Sequence, residues 1–139
     1  EHTERGNELE PLARSMYELQ ENVEVEEIGF AEYNDFVGCS PDGLVGDDGM
    51  IEIKCPDDKT YFNVLMNENI DSSYIWQCQM NLLILEKEWC DLIVYNPNFE
   101  KSMKIFRLKP DKEMFSRLKE GFAKAEKEII RMISKYKEI

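Results

Sequence analysis

Asp42, Glu52 and Lys54 are the residues whose types and spacing could do chemistry, within the segment GCSPDGLVGDDGMIEIKCP. Side chains at i and i+2 of a strand point to the same face. In a strand over residues 50–54, the Glu52 carboxylate and the Lys54 ammonium therefore stand together, while Met50, Ile51, Ile53 and Cys55 supply apolar surroundings. Cys39-Ser40-Pro41-Asp42-Gly43 and Gly46-Asp47-Asp48-Gly49 both carry turn chemistry, and Asp48-Gly49 between apolar segments is a strong hairpin signal. With Leu44 and Val45 on one arm, the turn brings Asp42 back towards Glu52. Asp47 and Asp48 read as solvated turn acids. A buried acid flanked by Ile51 and Ile53 needs a partner or a metal. Two carboxylates beside a lysine make a hard, oxygen-lined site suited to Mg2+, with Mn2+ as a substitute, and leave an amine to act on water or a phosphate. The chemistry indicated is metal-dependent phosphodiester cleavage.

The flanking segments must position these groups. Residues 6–20 read as a helix with Leu9, Leu12, Ala13, Met16 and Leu19 on one face. Glu10 lies beside that stripe, where an ordinary solvated acid would complement the helix dipole. Residues 23–33 alternate loosely as a strand with a polar edge, and Asn34-Asp35 turns into Phe36-Val37. After Pro56, Asp57 or Asp58 can cap a short helix through Tyr61, Val64, Leu65 and Met66, and Ser72 or Ser73 can cap a second, largely apolar one. On that second helix Tyr74, Gln77 and Asn81 share one face, whereas Gln79 must point elsewhere. A buried glutamine has to satisfy its amide, so Gln77 serves either a neighbouring backbone or the acidic site. Residues 90–95 and 103–108 read as a hairpin around Asn96-Pro97-Asn98. A long helix follows Pro110, with a stripe of Phe115, Leu118, Phe122, Ala125, Ile129, Ile133 and Tyr136 suited to core packing or a subunit contact. The sum is an α/β domain with a central mixed β-sheet flanked by α-helices.

Composition narrows the function classes. The 139 residues suffice for one domain, residues 1–139, and 42% are hydrophobic, so a packed core is expected. The formal charge of −12 opposes tight DNA binding by phosphate neutralisation alone. A nuclease remains compatible, because metal-site carboxylates add charge that the ion cancels. Four cysteines show no C-x-x-C pairing, and the one histidine is His2. Zinc or iron–sulfur binding is therefore not expected, and the thiols read as small buried side chains in a reducing cytoplasm. No apolar run of about 18 residues suggests a membrane span.

Three segments in order give the chain a specific resemblance to the lambda exonuclease and YqaJ-like viral recombinase nucleases of the PD-(D/E)XK superfamily. They are GNELEPLAR ending at Arg14, SPDGL with IEIKCP ending at Pro56, and YIWQCQ ending at Gln79. The resemblance implies a restriction-endonuclease-like core. It implies Asp42 and Glu52 as ligands of Mg2+, with the Ile53 carbonyl as a further oxygen ligand and Glu10 serving a second metal or its waters. Lys54 takes the place of the catalytic lysine, and Gln77 that of the glutamine that orients the site. The implied function is 5'-to-3' degradation of one strand from double-stranded DNA ends. The product is a 3' overhang for a single-strand annealing protein, made by a ring-shaped homotrimer of phage type. Only five residues precede Gly6, which is shorter than the family's usual N-terminal region and fits a truncated or minimal form. The rival readings are an endonuclease, a Cas4-like end-processing nuclease, and a catalytically silent DNA- or protein-binding module. The lack of a cysteine cluster speaks against the Cas4-like form, and the intact acid and lysine set against the silent one.

Overall fold

A computed structural model describes the backbone of residues 2–139 and the side chains of residues 8–139. The side chains of His2 and Asn7 thus lie outside the described residues. In chain order the elements are α1 (His2–Glu21), β1 (Ala31–Glu32), β2 (Gly38–Cys39), β3 (Gly43–Val45), β4 (Gly49–Lys54), α2 (Asp58–Asn67), α3 (Ser72–Leu85), β5 (Trp89–Tyr95), β6 (Met103–Leu108) and α4 (Lys112–Lys137). The main sheet has the order β3-β4-β5-β6, with β4 and β5 parallel and both outer pairs antiparallel. This is the expected α/β core with a central mixed sheet.

Gly46 carries the reversal between β3 and β4 at φ +59, in the left-handed region that glycine enters without steric cost. Gly43 then opposes Ile51, Leu44 opposes Met50 and Val45 opposes Gly49. Strand β4 is buried on both faces, as an interior strand covered by helices must be. Met50 joins Tyr61, Val64, Cys78 and Leu82 under α2 and α3, together with Leu92 and Val94 of β5. Ile51 and Ile53 join Ala13 and Tyr17 of α1, together with Ile93 and Tyr95. The strict alternation of β4 thus assigns its acid and its lysine to the α3 side of the sheet.

Several expectations are corrected. The sheet-facing side of α1 is Leu9, Ala13 and Tyr17, while Leu12 and Leu19 are 54% and 83% exposed. Tyr17 decides this rotation, because its hydroxyl donates to the buried Asp91 carboxylate at 2.6 Å. An apolar-periodicity reading cannot anticipate that anchor. Residues 23–33 do not form one strand. Glu26 and Leu44 make an isolated bridge, and pairing resumes only at β1, which lies antiparallel to β2. The amide of Val25 is taken instead by the Glu18 carboxylate, at 2.9 Å. The Asn34 turn does form, with Asn34 Oδ1 accepting from the amides of Phe36 and Val37. Asp57 caps α2, one of the two alternatives, but Asp71 rather than Ser72 or Ser73 caps α3, accepting from the Ser73 amide. The carboxylate outcompetes the hydroxyls because a charged acceptor bonds the free amide more strongly. No residue of α4 is fully buried. Phe115 reaches the core and Phe122 meets Tyr33 at 5.0 Å between ring centroids. Beyond them Ile130, Ile133 and Tyr136 are exposed.

Candidate active site

Asp42 sits one residue before β3, so the register that sets Gly43 against Ile51 brings Asp42 opposite Glu52. Asp42 Oδ2 accepts from the Ile53 amide at 2.6 Å, which ties the turn to β4. Glu52 is only 3% exposed. Its Oε1 accepts from Gln77 Nε2 at 3.1 Å, and its Oε2 from Asn81 Nδ2 at 2.8 Å. Lys54 Nζ donates to Gln77 Oε1 at 2.6 Å and lies 4.0 Å from Glu52 Oε1 and 5.3 Å from the centre of the Tyr74 ring. The Gln77 amide therefore bridges the lysine and the acid, each end used in its proper sense. Gln79 points to the other side of α3, donating to the Lys109 carbonyl at 2.8 Å and accepting from the Asp111 amide at 3.0 Å. It fastens the end of β6 and the start of α4 and takes no part in the acidic site.

Glu10 enters from α1. Its carboxylate accepts from Arg14 Nη2 at 2.7 Å; the same nitrogen reaches the Asp42 carbonyl at 3.2 Å, and Arg14 Nη1 pairs with Glu27 at 2.8 Å. Sequence reasoning assigned no role to Arg14 or to Asn81. Both left a signal: Arg14 closes the GNELEPLAR segment, and Asn81 shares the helix face of Tyr74 and Gln77.

The charges are poorly balanced. Burial, followed by the charge and hydrogen bond of Asp42, pushes the Glu52 carboxyl up to about 9, with Lys54 opposing. Burial followed by the same Asp42 also raises Glu10, against the pull of Arg14. Two acids raised by a shared neighbour mark a site short of positive charge. Among the described residues, no three His, Cys, Asp or Glu side chains form a ready ligand set. The donors offered are two carboxylates with main-chain oxygen and water, and these fit a small, hard divalent cation that keeps part of its hydration shell. No disulfide links the four cysteines, and Cys39, Cys78 and Cys90 are buried. Burial, then Glu52, raises the Cys39 thiol to about 11, so it stays protonated beside the acid.

The sequence profile of the YqaJ-like viral recombinase domain matches residues 1–88, which contain every residue of this cluster. The chain belongs to this family. YqaJ-like membership agrees with the solved structures that the fold resembles. An alkaline exonuclease, LHK-Exo, from Laribacter hongkongensis superposes with a TM-score of 0.84 at 32% identity, covering 96% of this chain and 73% of that one. The same enzyme in complex with dAMP gives a TM-score of 0.86 at 31% identity over the same shares. A phage-related exonuclease from Haemophilus somnus 129PT gives 0.75 at 16% identity, again over 96% and 73%, and speaks for the fold alone. No curated protein sequence is significantly similar. No helix among the described residues is long and apolar enough to cross a membrane.

Proposed function

We propose that this YqaJ-like chain, acting as one nuclease domain over residues 1–139, is a Mg2+-dependent exonuclease on double-stranded DNA. It degrades one strand 5'-to-3' and leaves 3' overhangs for phage-type recombination in the host cytoplasm. One observation carries the reading: Asp42 and Glu52 converge beside a lysine held by Gln77 at 2.6 Å, in a chain 32% identical to an alkaline exonuclease. The dAMP complex of that relative supports a nucleotide product at the same fold.

Asp42, Glu52 and the Ile53 carbonyl would hold the ion, with Glu10 serving a second ion or its waters once its pair with Arg14 loosens. When bound, divalent ions supply Lewis-acid polarisation of the scissile phosphate and a more acidic water. The protein's own contribution is charge placement. Lys54 donates to Gln77 and offers a fixed cation to the phosphate as charge develops on it. Gln77 fixes both the lysine and one oxygen of Glu52, so neither must reorganise during the reaction. The acidic surface, formally −12 overall, leaves DNA engagement to local basic groups and to bound metal. A single-strand annealing partner and a homotrimer that encircles DNA belong to the same reading.

The test is digestion of linear against covalently closed duplex with Mg2+, using substrates labelled at either end. Linear duplex should be consumed from its 5' ends while closed circles survive. Asp42→Ala and Glu52→Ala should lose Mg2+ binding and cleavage together. Cutting of the closed circle would replace this reading with an endonuclease. A parent chain inert on every substrate would leave only a binding module.

A further inference from the structure

We infer that Asn81 is a positioning residue that, with Gln77, clamps Glu52 at two points and so sets the affinity of the site for its divalent ion; this rests on the nuclease reading above. Asn81 is 2% exposed in α3, between the buried Cys78 and Leu82. Asparagine is a poor choice there for packing alone, because it is less helix-favouring than leucine and a buried amide without partners is costly. Its Nδ2 instead reaches Glu52 Oε2 at 2.8 Å. Gln77, one helical turn earlier, reaches Oε1 at 3.1 Å. A single donor leaves a carboxylate free to rotate about its terminal bond, whereas donors on both oxygens fix its plane.

The two amides are not equivalent. Asn81 is fully buried and grips the inner end of the carboxylate, while Gln77 is exposed and shares its amide with Lys54 at 2.6 Å. The outer contact is made by a solvent-exposed amide whose other end holds the lysine; the inner one lies in the core and anchors Glu52 there. The four residues Lys54, Gln77, Glu52 and Asn81 thus form one hydrogen-bonded line running from the mouth of the site into the core. Partners of this kind around a metal ligand typically change affinity by roughly 10–100-fold when removed.

Two measurements decide it. Asn81→Leu, similar in volume and without a donor, should bind Mg2+ roughly 10–100-fold more weakly by calorimetry. Its kcat should fall while KM for DNA stays near the parent's. Parental Mg2+ affinity in a folded Asn81→Leu chain overturns the inference. Should that variant not fold, side-chain amide resonances of the 15N-labelled parent give the answer without mutation. Substoichiometric Mn2+ should broaden the Asn81 and Gln77 amides well before that of Gln79. Equal broadening of Asn81 and Gln79 overturns the clamp. A parent chain that takes up no Mn2+ overturns the nuclease reading itself, a result distinct from failure of Asn81 alone.

Discussion

Lys54 Nζ is held by Gln77 Oε1 at 2.6 Å, much closer than the 4.0 Å to its strand neighbour Glu52. Gln77→Ala therefore should free the lysine and one oxygen of Glu52 at once, and turnover should fall by about 10–100-fold. Gln79→Ala instead removes two bonds that fasten α4, so it should lower stability by about 1–3 kcal/mol with near-parental turnover per folded molecule. Denaturation and steady-state rates on both variants check this. Equal losses of turnover would count against the division of labour on α3.

Lys54→Ala removes a cation and no metal ligand. Mg2+ affinity should remain within a few-fold of the parent's, while the cleavage rate falls by about 100-fold or more. Calorimetry beside a linear-duplex assay tests the pair of values. A fully active variant would remove the lysine from the mechanism.

Without metal, stability should fall as pH rises. The folded Glu52 carboxyl, raised to about 9, lies above its ordinary value of 4.5, so the folded state binds more protons than the unfolded one between these limits. That contribution is complete below the unfolded value and is lost through the folded one, with a slope of up to about 1.4 kcal/mol per pH unit. Glu10 shifts in the same direction. Urea denaturation in EDTA at pH 6 and pH 8.5 measures the effect, and equal stability at both would contradict it. Added Mg2+ should protect most strongly on the alkaline side, where protons no longer compete for the carboxylates.

Glycine positions along the fold should respond oppositely to alanine. A Cβ on Gly49 would collide with the Trp89 indole, whose ring also carries the Arg107 guanidinium at 3.7 Å. Gly49→Ala should cost about 1–3 kcal/mol and disturb the start of the strand bearing Glu52. Gly121, inside α4, has no atom within 4 Å of a would-be Cβ, and Gly121→Ala should stabilise by about 0.5–1 kcal/mol. Thermal denaturation of the two variants decides; a neutral Gly49→Ala would show that Trp89 can yield.

The hairpin, the paired strands 89–95 and 103–108, and the helix carrying Gln77 were legible because each is set locally, by turn residues or by a repeat of the apolar pattern. The opposed directions of Gln77 and Gln79 were legible for the same reason, since they follow from helix geometry alone. The orientation of α1 was not. It depends on a contact between Tyr17 and Asp91, which also accepts two bonds from Arg107, and no local pattern records a partner so distant in sequence. Residues 23–33 misled because their alternation resembles a strand while their neighbours supply only one bridge to β3. Arg14 and Asn81 are placed by the sequence in the first-helix segment and on the Gln77 face, but their distant partners, Asp42 and Glu52, lie 28 or more residues away, and no local pattern names them.

The three-residue turn Gly46–Asp48 contributes nothing to the chemistry, yet it sets which residues of β3 and β4 meet. Because successive strand side chains alternate in direction, lengthening or shortening that loop by one would send Asp42 to the opposite surface from Glu52. Mutation can therefore exchange its two exposed aspartates freely, but an insertion or deletion there would disarm the protein without altering any reactive group.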